Sequence, residues 1–318
     1  MPSVAELIRQ RLADGPLILD GATGTELQRR GVATGLPLWS ATALLECPAV
    51  VEAIHRDYVA AGADIIVANT FRTNPRTLRR AGRFGQGAAL NRLAIDLARR
   101  AGIPSPERQR RVEVFHASAA DQSPTQARFP LVAASVAPVE DCYRPDLVPD
   151  DAELRAEHEQ MIAWLQAARP DLLWIETMNT VREARAAAMA AAATGLPFVV
   201  SYVTQETGAL LSGESLADAV AAVEPLEPLA IGLNCIPPRG LTANLARLRE
   251  LTARALVAYA HINNPTPTPG CTYSQTCSPD EYAMYARQWQ ELGAQILGGC
   301  CGTMPAHIAA LREVLPFR

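Results

Sequence analysis

A chain of 318 residues, 49% hydrophobic and 19% charged, is long enough to bury an extensive core, and disorder is not expected. Its net charge of −4 and pI near 5.8 exclude the dense basic surface that nucleic acid or an anionic membrane would need, so the expected partners are small molecules. No apolar run reaches the ~20 residues of a membrane span. Residues 1–15 carry Glu6 and Asp14 without a signal-peptide core, and seven scattered cysteines suit a reducing compartment, so a cytoplasmic location is expected.

Short runs rich in Val, Ile and Leu alternate with stretches of helical period, as when parallel strands are buried on both faces. Eight runs occur, at 16–20, 64–69, 131–136, 172–176, 198–203, 229–234, 255–260 and 295–298. They predict an α/β protein, a single-domain (β/α)8 TIM barrel over residues 1–318, with its chemistry on the loops after the C-terminal strand ends. Between the first two runs, LECPAVVEAIHRDYVAAGAD reads as a helix: Pro48 suits its first turn, Val51, Ile54 and Tyr58 share a face, and Gly62 supplies the stop. Residues 102–130 are less regular, with 112–115 as a candidate extra strand, and read as an insertion before strand three. Leu154, His158, Met161, Ile162 and Leu165 form an apolar stripe, which makes His158 a packed helix residue rather than a ligand. The proline-dense NNPTPTPG at 263–270 reads as a long loop after strand seven.

Polar residues gather at the strand ends. Strand one ends in DGATGTELQRRG, where Asp20 precedes a glycine-containing loop able to offer backbone N–H groups; a strand-to-helix turn capped by Asp20 or Thr25 is the alternative. Asn69 in NTF and Asn263 in HINN can hydrogen-bond a polar substrate or cap the loops that follow them. Glu176, in WIETM, is a carboxylate that needs a partner if buried; with Asp20 it could grip an ammonium group. The eighth run leads into GGCCG. Adjacent thiols form only a strained disulfide, whereas glycines on both sides let the chain turn so that Cys300 and Cys301 face one point. Cys235, closing LAIGLNC, offers a third sulfur, and three sulfurs from two strand ends make a zinc site with one position open.

DGATGT, LWSA at 38–41, AGADIIVANTF, IET, GLNC and GGCCGT resemble, in order and spacing, the zinc-dependent homocysteine S-methyltransferases, over residues 17–308. The resemblance implies a (β/α)8 barrel with Zn2+ on Cys235, Cys300 and Cys301, and with Asp20 and Glu176 on the homocysteine amino group. The chemistry agrees. An ordinary thiol has a pKa of ~8.5 and only its thiolate attacks a methyl group well, so zinc taking the substrate sulfur as fourth ligand makes a nucleophile without a general base. Trp39 is the candidate donor contact, since an indole face attracts an onium cation by roughly 0.5–2 kcal/mol; Tyr143 is a second aromatic candidate.

LWSA resembles the branch using S-methylmethionine or S-adenosylmethionine, the favoured donors. A betaine-type donor with the same acceptor is the alternative, and a non-enzymatic zinc or thiol sensor barrel is a further one. An acid–base hydrolase using Asp20 and Glu176 leaves the three cysteines unexplained. Ala137 in SVAPVEDCY replaces a glycine common in relatives, and NNPTPTPGCTYSQTC replaces a small polar loop; both fall where a donor or lid would sit. Cys271 and Cys277 read as free thiols, Cys47 and Cys142 have no role, and His261 is the one histidine at a strand end, also without an assigned role. Oligomeric state is not legible.

Overall fold

The computed structural model describes residues 3–102, 129–262 and 277–315. Every apolar run forms a strand: β1 (Leu17–Ile18), β2 (Ile65–Ala68), β3 (Leu131–Val136), β4 (Leu172–Met178), β5 (Phe198–Tyr202), β6 (Ala230–Asn234), β7 (Ala255–Ala260) and β8 (Ala294–Gly299). All neighbours are parallel, in the order β1-β8-β7-β6-β5-β4-β3-β2, and a parallel bridge between Leu19 and Ile65 closes the ring. The fold is the (β/α)8 barrel expected from the sequence. Strands β3, β4 and β6 are buried at every position, which is why they read as continuous apolar runs rather than as alternating ones.

Two apolar layers hold the barrel together. Leu17, Ile65, Trp174, Val199, Val257 and Ile296 fill its interior, and Ile8 from the helix Val4–Asp14 packs with them at the N-terminal end. Alternate residues such as Ile18, Ile66, Leu173 and Leu233 join the outer layer between strands and helices. The helix Pro48–Ala60 starts on Pro48 and buries Val51, Ile54 and Tyr58, as its spacing predicts. His158 is buried in the helix Asp151–Ala168 and meets Glu183 Oε1 at 3.2 Å, which accounts for it as a packed residue.

Strand β1 is shorter than the run at 16–20, and at its seam with β2 side chains flank the backbone bonds Asp64 N to Ile18 O (2.7 Å) and Asp20 N to Ile65 O (3.0 Å). Ile18 N donates to Asp64 Oδ2 (2.8 Å) and Val67 N donates to Asp20 Oδ2 (3.0 Å), so two carboxylates stand in for ladder carbonyls between β1 and β2. Most of the predicted insertion, with the candidate strand at 112–115, lies outside the described residues, as do Asn263 and Cys271. Among the described residues no helix is long and apolar enough to cross a membrane.

Candidate active site

The C-terminal mouth of the barrel collects the strand-end residues. β6 finishes at Asn234, and Cys235 then adopts a left-handed backbone (φ 55°) while its N–H donates to Tyr259 O on β7 (3.3 Å). Such a conformation is costly outside glycine and recurs at functional sites. β8 runs into Cys300, whose N–H donates to Ala260 O (2.9 Å), and Cys301 O accepts from Ile262 N (2.9 Å). The turn is locked from behind by Thr303, whose Oγ1 donates to Cys300 O (2.7 Å).

The glycines around the pair divide their work. Gly302 supplies a left-handed turn (φ 89°), whereas a Cβ on Gly299 would collide with Thr303, and one on Gly298 would lie 2.5 Å from Leu19 Cβ. The DGATGT loop clamps the same turn: Gly302 N donates to Thr25 Oγ1 (3.0 Å) and Ala22 N to Thr303 Oγ1 (3.3 Å). Neither Asp20 nor Thr25 caps the helix Thr23–Arg29, which begins at Ala22 without a side-chain cap.

These ties bring the sulfurs of Cys235, Cys300 and Cys301 within 4.8 Å of one another, with Cys235 and Cys301 4.0 Å apart. A tetrahedral metal with bonds of ~2.3 Å to sulfur sets its thiolates ~3.8 Å apart, so the donor set and its spacing fit one thiophilic ion. Hydrogen bonds from the other two thiols hold Cys301 well below the ordinary thiol range.

Glu176 lies near the end of β4, where the register against β5 shifts between Ile175 and Met178 and Thr177 takes a left-handed backbone (φ 61°). The irregularity re-aims a side chain, as bulges beside active sites commonly do. Asn234 secures it: its Oδ1 accepts from Thr177 N (3.0 Å) and its Nδ2 donates to Thr177 Oγ1 (2.8 Å). The residue before the first cysteine thus fixes the turn after the glutamate. Glu176 Oε1 accepts from Ser135 Oγ (2.5 Å), and Oε2 accepts from Tyr259 OH (3.2 Å), itself bonded to Trp174 Nε1 (2.9 Å).

Burial pushes the Glu176 carboxyl up to about 7, opposed by the Ser135 hydrogen bond and reinforced by charge on Cys235. Asp20 is also buried and raised well above the usual carboxylate range, first by burial; the hydrogen bond from Val67 opposes this and the Glu176 charge adds to it. Two carboxyls each disfavoured as lone anions form an environment that a cation would stabilise.

Trp39 is half-buried on the loop after the helix Thr23–Arg29, with a left-handed backbone (φ 47°). Its indole lies on Gly24, where an added Cβ would come within 2.6 Å of the ring, and it meets Phe71 edge-on at 5.9 Å. Asn69 Nδ2 donates to Ser40 O (2.9 Å), so this strand-end asparagine braces the Trp39 loop and retains Oδ1 as its acceptor. Tyr143 lies close enough to the cysteines that charge on Cys235 raises its hydroxyl well above the ordinary range, although the side chain is partly exposed.

Phe71, Ser135, Tyr259 and Asn234 were not legible as site residues. Phe71 follows Asn69 and Thr70 directly and was the easiest to find; the other three need the register of β3, β6 and β7. Cys142 is buried near the cluster without belonging to it, and Cys277 is buried elsewhere, with Sγ 3.6 Å from Ser278 O.

The homocysteine S-methyltransferase family model matches residues 17–315. A homocysteine S-methyltransferase of Escherichia coli is 33% identical, with 93% of this chain and 94% of that protein covered. Homocysteine S-methyltransferase 1 of Arabidopsis thaliana is 28% identical over 96% of this chain and 94% of its own length. The metallated form of the Escherichia coli homocysteine methyltransferase MmuM superposes with a TM-score of 0.77 at 31% identity, covering 97% of this chain and 98% of that one. This chain belongs to the homocysteine S-methyltransferase family and is an enzyme that transfers a methyl group to homocysteine.

Proposed function

We propose that the enzyme moves a methyl group from a small sulfonium donor, S-methylmethionine or S-adenosylmethionine, to homocysteine held at a zinc ion on Cys235, Cys300 and Cys301, giving methionine. The observation that carries this reading is the trio of sulfurs within 4.8 Å of one another, set beside a buried carboxylate that feels the charge on Cys235. Zinc, when bound, supplies the Lewis acidity that favours a substrate thiolate at neutral pH, where an ordinary thiol stays largely protonated.

The chain's own residues do the rest. Asp20 and Glu176 take the substrate ammonium group, whose positive charge offsets the penalty each carboxylate carries when ionised. Trp39, backed by Phe71, presents an aromatic face to the onium centre, a contact of roughly 0.5–2 kcal/mol. Asn69 and Asn263 are assigned to polar contacts with substrate, Asn69 through Oδ1; Asn263 lies outside the described residues. The new carbon–sulfur bond forms as the sulfonium–carbon bond breaks, and the donor departs as a neutral thioether.

Residues 1–318 form one homocysteine-binding barrel in this reading, and the reducing cytoplasm is the compartment that keeps three thiols available. The test is zinc-loaded protein with homocysteine and, separately, S-methylmethionine, S-adenosylmethionine and glycine betaine, with methionine measured by mass spectrometry. Faster turnover with a sulfonium supports the reading. Turnover with betaine alone would reassign the donor, and methionine formation by protein stripped of metal would remove zinc from the scheme.

A further inference from the structure

We infer that His261 is a positioning residue of the metal centre: its imidazole N–H donates to the Cys235 thiolate and holds that sulfur on the metal. The inference rests on the zinc reading above and concerns a residue of this chain outside the three sulfurs.

Strand alternation decides where the side chain goes. Tyr259 points into the barrel, where its hydroxyl meets Trp174 and Ser201. Ala260 belongs to the outer layer, beneath the Tyr282 hydroxyl that donates to its carbonyl (3.0 Å). Residue 261 therefore returns to the inner side, one step above Tyr259, at the mouth. Two backbone bonds pin it between the cysteine turns: His261 N donates to Ile236 O (3.1 Å), just past Cys235, and the next residue, Ile262, donates to Cys301 O (2.9 Å).

The side chain in that position is unfinished. His261 is only 8% exposed, and its buried Nε2 has no hydrogen-bond partner among the described residues. Leaving a buried polar group unpaired costs ~1–3 kcal/mol, so such a group in a functional cleft calls for an acceptor supplied by the working state. The candidate acceptor is the Cys235 sulfur: the ring lies beside that thiol, and the His261 backbone is bonded to the residue that follows Cys235. Cys235 also most needs a second hold, because it hangs from a strained left-handed backbone on a separate strand from Cys300 and Cys301. A hydrogen bond to a metal-bound thiolate orients the ligand and withdraws part of its charge, and removing such an outer partner typically costs 10–100-fold in metal affinity.

The test uses full-length zinc-loaded protein and the variants His261→Phe and His261→Gln, titrated with a chromophoric zinc chelator. Their cobalt(II)-substituted forms are compared by thiolate-to-cobalt charge-transfer absorption. His261→Phe should release zinc about 10–100-fold more readily and shift the cobalt band, while His261→Gln, which keeps an N–H donor and a polar side chain, should recover most of both. Wild-type zinc affinity and an unmoved band in His261→Phe would overturn the inference while leaving the metal centre standing, and so would a Gln variant as weak as the Phe variant. If the wild-type chain took up no metal at all, the centre and the inference would fall together.

Discussion

Replacing Glu176 by glutamine removes a charge that the fold accommodates at a cost, and the structure sets the size and the pH dependence of the effect. The carboxyl has its pKa raised from 4.5 to about 7, mainly by burial. Well below pH 4.5, folded and unfolded chains both carry the proton and there is no penalty. Between 4.5 and about 7 the unfolded chain has released it while the folded chain still holds it, so stability falls as pH rises. Above 7 the folded state carries the full penalty, about 3 kcal/mol at about 1.4 kcal/mol per pH unit of separation.

The amide oxygen still accepts from Ser135, and the amide N–H can donate to the Tyr259 oxygen, so Glu176→Gln leaves the surrounding bonds largely satisfied. Urea unfolding at intervals from pH 4.5 to 8 should therefore show the variant gaining on wild type steadily, by about 2–3 kcal/mol at the upper end. In the proposed reading, homocysteine binding should weaken on the order of tenfold or more, because one of the two carboxylates assigned to the ammonium group is gone. A stability difference that does not grow with pH, or a variant less stable than wild type at pH 8, would refute the reasoning.

His55 contributes the opposite slope. Both of its ring nitrogens are buried without partners among the described residues, and burial lowers its pKa from 6.5 to about 4. Its neutral form is undisturbed above 6.5, and stability drains away by up to about 3 kcal/mol as pH falls from 6.5 through 4. His55→Leu should remove that loss, so its advantage over wild type in urea must widen toward pH 4; a constant difference would sink the argument. In wild type the two slopes largely mask each other across pH 4.5–6.5, and each substitution should unmask the other. Replacing Cys235, Cys300 or Cys301 singly by alanine should abolish metal retention and methionine formation together, scored by elemental analysis and product assay; an active, metal-free Cys300→Ala protein would contradict the assignment. Gly24→Ala should push the Trp39 indole off its seat. The donor KM should then rise by about 2- to 30-fold while homocysteine affinity holds; a matching loss for both substrates would deny Trp39 its donor role.

The barrel was legible because parallel strands covered on both faces leave unbroken apolar runs. Cys300 and Cys301 were legible because adjacent thiols have few other uses, and Cys235 because it closes the apolar run LAIGLNC. Neighbours across strands were not. Ser135 and Tyr259 stand 41 and 83 residues from the glutamate they bond, and only the register of β3, β4 and β7 brings them to it. Asn69 was legible as a polar strand-end residue, but the bond from its amide nitrogen to Ser40 O was not, since the loop conformation alone determines that partner. The glycines beside the cysteines suggested a sharp turn, which Gly302 supplies; Gly298 and Gly299 make room for Leu19 and Thr303, a demand of packing that composition does not reveal.

The order of parts along the chain constrains how the catalytic centre comes into being. Asp20 follows the first strand, Cys235 the sixth, and the paired cysteines the last, with Thr25 and Thr303 fastening the opening segment to the closing one. No partial barrel holds the whole cradle. In the proposed reading, metal capture in its final geometry is thus a late event in maturation, and any lesion that loosens the final strand should leave a nearly formed scaffold that cannot keep its ion.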